Sequence, residues 1–197
     1  MLDIMYNHIK TGVIGVGSMG QNHARVYSEI SNLVGVADTD EEQGRKVAER
    51  FGVTWYSDYR KMLAEVDAVS IASPTILHRT IAQDVIHAGL HLLVEKPLAD
   101  NVVDAEAIVN SAGKNGVTLA VGHIERHNPV VAYVSKRIKD GKWGEIITMN
   151  AQRVSPLEIE ALYSNSERRI GDVGVIFDLS IHDIDIMSYL SGSKIVS

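Results

Sequence analysis

The run Gly12-Val13-Ile14-Gly15-Val16-Gly17-Ser18-Met19-Gly20 constrains the fold of this chain more than any other segment. Apolar β-branched residues lead into glycines spaced G-x-G-x-x-G, and Ala24, Val26, Tyr27 and Ile30 then recur at roughly helical spacing. Strand, glycine turn and helix start, in that order, form the arrangement that holds a dinucleotide pyrophosphate. Gly15 allows the tight turn. Gly17 has no Cβ, so the backbone can approach the phosphates, and Gly20 lets the new helix pack close to the strand. The amides at the helix N-terminus, those of Ser18, Met19 and Gly20, then face the anion. The spacing alone is weak, because glycines also mark ordinary turns; the flanking strand and helix give it weight.

A second strand, Leu33 to Ala37, ends at Asp38, close to the twenty-residue offset expected of a carboxylate on the adenosine ribose. Asp38 there would accept from the ribose hydroxyls and repel the extra phosphate of NADP, which favours NAD. The plainer reading is a strand-end turn in which Asp40 caps a helix starting at Glu41. The two readings are compatible.

The chain has 197 residues, no cysteine and a formal net charge of −6. That length supports one or two domains with a core. Without cysteine there is no disulfide scaffold or thiolate metal site, and a reducing compartment fits. No apolar run is long enough to span a membrane, and Met1 to His8 lacks the basic start and small-residue cleavage site of a signal peptide. A cytoplasmic protein is the expectation. Mild acidity and the lack of a basic stripe argue against nucleic acid as a partner.

Further along, the pattern alternates. Helix is expected over Glu41–Phe51, Tyr59–Leu63, Leu77–Ala88 and Val102–Asn115, the last with Ala105, Ile108 and Val109 inward. Strands are expected at Thr54–Tyr56, Ala68–Ala72, His91–Glu95 and Thr118–Gly122. Alternation with crossovers of about twenty residues predicts an α/β fold, a doubly wound parallel sheet covered on both faces. Ligands of such sheets sit at the carboxyl ends of the strands. There lie Gly15 to Gly20, Asp38, Ser73-Pro74-Thr75, Glu95-Lys96-Pro97 and Gly122-His123. The rhythm changes near residue 123, dividing the chain into a dinucleotide-binding domain, 1–123, and the start of a second α/β domain, 124–197. In the latter a helix is expected over Pro129–Lys139, a strand over Gly144–Arg153, with Lys194–Val196 a candidate second strand, and helix over Gly174–Leu190.

Four blocks, in order, resemble the Gfo/Idh/MocA oxidoreductases, the glucose-fructose oxidoreductase and inositol dehydrogenase group. They are Val13 to His23 with its glycines; Ser73-Pro74-Thr75 with His78; Glu95-Lys96-Pro97; and Asp178-Leu179-Ser180-Ile181-His182-Asp183-Ile184-Asp185. Gly122 to Pro129 and Arg169 to Ile176 are similar to the nucleotide-sugar branch, which includes UDP-N-acetylglucosamine 3-dehydrogenases; His127 stands where that branch is expected to have Phe. The resemblance implies a Rossmann domain followed by a substrate domain whose open sheet also builds a homo-oligomer. Such a sheet needs well over a hundred further residues, so the second domain is expected to be incomplete here.

The resemblance also implies the chemistry. NAD is held by the glycine turn, Asp38, Ser73, Pro74, Thr75, His78, Glu95 and Lys96. Lys96 bonds the reacting oxygen of a sugar or nucleotide sugar and shares its proton. His182, four residues after Asp178 and on the same helix face, is the candidate acid or base, with Asp178 orienting it or holding a hydroxyl. The substrate set adds His123, Arg126, Asn128 and Arg169, where an arginine can fork a diphosphate. Plainer readings stand beside these: a solvated Glu95–Lys96 pair, a helix-surface Asp178–His182 pair, and a polar turn ended by Pro129. No metal is expected, since adjacent helical residues do not converge on one ion, and His23 is expected to be structural. The reaction expected is oxidation of a ring hydroxyl, the 3-hydroxyl of a UDP-N-acetyl amino sugar. The competing reading is a truncated, silent NAD-binding module that acts through a partner subunit.

Overall fold

The computed structural model describes residues 8–152 and 180–195. The chain divides into two compact units, Met1–Gly122 and His123–Ser197.

The first unit is a parallel sheet of six strands: β1 (Lys10–Ile14), β2 (Asn32–Ala37), β3 (Thr54–Tyr56), β4 (Ala68–Ile71), β5 (His91–Val94) and β6 (Leu119–Val121). Their order is β3-β2-β1-β4-β5-β6, and every pairing is parallel. Helices α1 (Ser18–Ile30), α2 (Glu41–Phe51), α3 (His78–His87) and α4 (Val102–Asn115) supply the crossovers. This is the doubly wound Rossmann architecture, and the strand order reverses between β1 and β4.

Strand periodicity sorts the core. Val13 and Val36 pack with Ala24, Val47 and Ala48 on the α1–α2 face. Ile14, Ile71 and Val94 pack with residues of α3 and α4 such as Val85, Ile86 and Ile108 on the other. Both faces are apolar because a parallel sheet is covered on both sides. Two polar strand residues break the rule: Thr11 near the start of β1 is buried, and Ser70, in register with Val13, is fully buried in the middle of β4.

Local chemistry sets the helix ends. Asp40 accepts from the Gln43 amide at 3.0 Å and starts α2. Asn101 accepts from Asp104 at 2.9 Å and starts α4. Gly52 and Gly116, both left-handed, end those helices.

Several expectations are corrected. Tyr59–Leu63 is not one helix but part of two 3₁₀ turns, Tyr59–Lys61 and Leu63–Glu65, because Asp58 accepts from the Arg60 amide and winds the first turn tightly. Val109 on α4 is exposed; Ile108 and Ala112, four apart, form the inward stripe. Ile30 is exposed at the last turn of α1.

In the second unit a 3₁₀ turn, Ile124–His127, leads to α5 (Pro129–Lys139). Asn128 caps α5 by accepting from Val130 at 3.0 Å, and Pro129 takes the first-turn position that needs no N–H. Helix α6 runs Ile181–Ser191; the expected helix over 174–179 lies outside the described residues. The strand expected at Gly144–Arg153 does not form over 145–152, which is irregular and largely exposed, nor is there strand at Lys194 and Ile195. Alternation makes a strand only when a neighbour accepts its ladder bonds, and the described part of this unit has no other strand.

Candidate functional site

The carboxyl ends of β1, β2, β4 and β5 gather the expected cofactor residues on one edge of the sheet. After β1 the chain turns through Gly15 at φ 83°, a conformation that suits glycine. A Cβ there would also press on the Ser73 amide at 2.8 Å, so the turn after β1 and the loop after β4 touch backbone to backbone. A Cβ at Gly20 would overlap the Gly15 carbonyl oxygen. A Cβ at Gly17 would meet nothing within 4 Å. Gly17 therefore faces open space, whereas Gly15 and Gly20 face protein.

Helix α1 starts at this opening with no side chain capping its amides and no acidic residue in its first turn. Its positive end is left for an anion. Asp38 organises the neighbouring turn. Oδ2 accepts from the Val16 amide at 2.7 Å and Oδ1 from Asp40 at 2.9 Å. Gln43 returns from α2 to the Val16 carbonyl at 3.0 Å, and the Trp55 indole N–H reaches the Asp38 carbonyl at 3.2 Å. Each Asp38 oxygen has used one acceptor site and keeps another.

After β4, Ser73 Oγ is buried with no hydrogen-bond partner among the described residues. His78 is buried at the start of α3. Its Nε2 lies 2.9 Å from the Ser73 carbonyl and its Nδ1 3.0 Å from the Pro97 carbonyl, so the ring joins the loops after β4 and β5. Thr75 opens the 3₁₀ turn before α3, and Pro74 precedes it.

After β5, Glu95 and Lys96 part ways. Glu95 is buried and turns inward to His23, Nε2 to Oε1 at 2.8 Å. Its partner ring makes a second bond to Ser70 Oγ at 3.0 Å, and Ser70 also meets the Tyr27 hydroxyl at 2.7 Å. Burial is the largest influence and would raise the Glu95 carboxyl, but the bond and charge of His23 together with the N–H and charge of Lys96 outweigh it and hold the group below its ordinary value. Burial raises the Tyr27 hydroxyl against the opposing Ser70 bond. Lys96 is half-buried and joined to Pro97 by a cis peptide bond.

In the second unit, Arg126 forks Asp185 of α6 at 2.8 and 2.5 Å and lies over the Tyr189 ring. His123 Nδ1 lies 3.6 Å from the same carboxylate. That carboxylate holds the Arg126 guanidinium above its ordinary value, burial opposing. Asn128 is the α5 cap. His182 is half-buried in the first turn of α6. Asp178 and Arg169 lie outside the described residues.

Tyr27 and Ser70 are not among the expected site residues, and Asp185, named within the 178–185 block, is not expected to pair with Arg126. A serine in the middle of an apolar strand signals a buried polar partner; for Asp185, 59 residues from Arg126, the sequence carries no comparable signal.

The Gfo/Idh/MocA model, an oxidoreductase family with an NAD-binding Rossmann fold, matches residues 9–123. The chain belongs to the Gfo/Idh/MocA oxidoreductase family. Among its curated relatives is UDP-N-acetylglucosamine 3-dehydrogenase of Acidithiobacillus ferrooxidans, 36% identical over 95% of this chain and 56% of the relative. The scyllo-inositol 2-dehydrogenase (NAD(+)) of Bacillus subtilis is 30% identical over 98% of this chain and 57% of the relative. A solved structure of the Acidithiobacillus enzyme superposes with a TM-score of 0.84, covering 96% of this chain and 59% of that one. This Gfo/Idh/MocA chain thus spans a little over half the length of the relatives it matches. Among its described residues no helix is long and apolar enough to cross a membrane.

Proposed function

We propose that this chain carries the cofactor half, and part of the substrate half, of an NAD-dependent dehydrogenase acting on a sugar. The substrate we favour is a UDP-N-acetyl amino sugar, oxidised at its 3-hydroxyl. One observation carries the cofactor part: the uncapped start of α1 opens at Gly17 onto free space, between two glycines that are packed against backbone. That is a cradle for a pyrophosphate. Asp38 supports NAD over NADP, since its spare acceptor positions suit ribose hydroxyls and its charge opposes a 2′-phosphate. The orphaned Ser73 hydroxyl supports a ligand on the same edge.

The residues present fit the cofactor. Gly15 to Gly20 would hold its pyrophosphate and Asp38 its adenosine ribose. Ser73, Pro74 and Thr75 would line its path, and His78 would hold their loop in place. When bound, the cofactor would supply a nicotinamide as hydride acceptor for the carbon bearing the hydroxyl. Lys96, at the end of β5, would hold the hydroxyl oxygen and take its proton, with His182 as second proton carrier and Asp178 orienting it. Nucleotide-sugar specificity draws its support from the Acidithiobacillus relative. Homo-oligomerisation and a cytoplasmic location belong to the same proposal.

Lys96→Ala tests the reading. Turnover of the amino-sugar nucleotide should fall by at least about a thousandfold, while NADH affinity by fluorescence titration stays within about threefold. Retained turnover in that variant rejects Lys96 as the proton acceptor.

A further inference from the structure

Beneath the strand ends of the first unit runs a line of hydrogen bonds that cofactor binding does not use. It starts at Tyr27 on α1, crosses Ser70 in β4, passes through both nitrogens of the His23 ring and ends on Glu95. Ser70 is fully buried, and the Glu95 and His23 side chains are 9% and 14% exposed. Donor bookkeeping sets its direction. An ionised carboxylate only accepts, so the hydrogen between His23 and Glu95 belongs to Nε2. When the ring is neutral, Nδ1 accepts from Ser70, and Ser70 in turn accepts from the Tyr27 hydroxyl. With the neutral Nε2–H tautomer, each donor in the line has one acceptor.

The line continues to the residue that matters most. The second carboxylate oxygen, Glu95 Oε2, accepts from the Lys96 peptide N–H at 3.2 Å. Around it the backbone is pinned: the Glu95 amide donates to Ile71 at 2.9 Å and the Gly122 amide to Val94 at 2.8 Å. Gly122 closes over the carboxylate so tightly that a Cβ would sit 3.1 Å from it. Lys96 is the second residue past β5, and its N–H takes an acceptor supplied by a side chain.

We propose that His23 and Glu95 are positioning residues for Lys96: the imidazole fixes the carboxylate, and the carboxylate fixes the peptide from which the lysine side chain extends. Its catalytic meaning rests on the reading of Lys96 given above. A flexible four-carbon side chain reaches a reacting oxygen reproducibly only if its Cα is held, and misplacement of a reacting group by about 1 Å can cost about a hundredfold in rate. Glu95 touches neither cofactor nor substrate in this scheme; it acts through the lysine.

The test uses the full 197-residue chain. Long-range ¹H–¹⁵N correlation of the imidazoles should show hydrogen on His23 Nε2. An Nδ1–H tautomer overturns the proposal, because a lone pair would then face the carboxylate. Amide exchange gives the second readout. His23→Ala should speed exchange at Lys96 about tenfold and leave Val94 unchanged. Unchanged Lys96 exchange overturns it. A cavity at position 23 can loosen the fold, so His23→Gln is measured in parallel. Its amide N–H replaces Nε2–H and should restore most of the protection; exchange as fast as in His23→Ala overturns the role of the bond. With a UDP-N-acetyl amino sugar as substrate, His23→Ala should lower kcat about tenfold with KM and NADH affinity within about threefold. An unchanged kcat in an active enzyme overturns the positioning role. A wild type that neither turns over nor binds NADH instead rejects the dehydrogenase reading, and the imidazole and exchange results then decide the pair by themselves.

Discussion

Two glycines three residues apart make opposite predictions. Gly17 has φ −63° and ψ −163°, which other residues adopt, and its missing Cβ faces open space. Gly17→Val should therefore leave the melting temperature nearly unchanged and weaken NADH binding at least about tenfold, as read by fluorescence titration. Gly20→Ala drives a methyl into the Gly15 carbonyl. It should cost about 2 kcal/mol of stability, measured by urea unfolding, before any effect on the ligand. The glycines were legible because turn, approach and packing each leave a fixed position in the motif. Glu95 was not. A carboxylate at a strand end looks the same in sequence whether it faces a ligand or turns inward, and its direction depends on His23, 72 residues away.

At the scale of elements, legibility follows whether the cause is local. Asp40, Gly52, Asn101 and Gly116 bound α2 and α4 at the residues where the periodicity begins and ends. Asp40→Ala should cost about 1 kcal/mol in chemical unfolding. Where the cause is distant, the pattern misleads. Residues 145–152 alternate well enough for a strand, yet Ile147 stands almost wholly exposed and no ladder forms. Arg126, expected to fork a diphosphate, forks Asp185 through Nε and one terminal nitrogen, a partner that local pattern does not announce. That contact ties the turn after β6 to the helix bearing His182. Asp185→Asn removes the charge from a side chain only 9% exposed. It should destabilise α6 by about 1–2 kcal/mol, visible as faster amide exchange across Ile181–Ser191 with the sheet unaffected.

For the whole molecule, the first unit was readable almost strand by strand because each βαβ step repeats the same apolar rhythm, and the order of the sheet follows from right-handed crossovers. The second unit was readable only as helices and turns. Its described residues pair no strand, and this chain spans a little over half the length of the relatives it matches. Global stability should report on the buried carboxylate. The folded state holds Glu95 below its ordinary value of 4.5. Its contribution is therefore complete above that pH and is lost as pH falls through the lower folded value. Thermal unfolding of wild type and Glu95→Gln should accordingly converge on acidification below about pH 4.5 and differ most near neutrality; a constant difference across that range would assign the effect to packing.

The knot around Asp38 has a consequence for anyone who wants to change which dinucleotide the protein uses. The same carboxylate that would discriminate at the ribose also ties down the Val16 peptide and the turn into α2. Preference and loop integrity are thus written into one side chain and cannot be edited separately. Replacing Asp38 with serine or alanine to admit a 2′-phosphate leaves the Val16 amide without its acceptor, so the variant should bind both dinucleotides poorly. Recovering tight NADPH binding should require a second change that returns an acceptor to that amide.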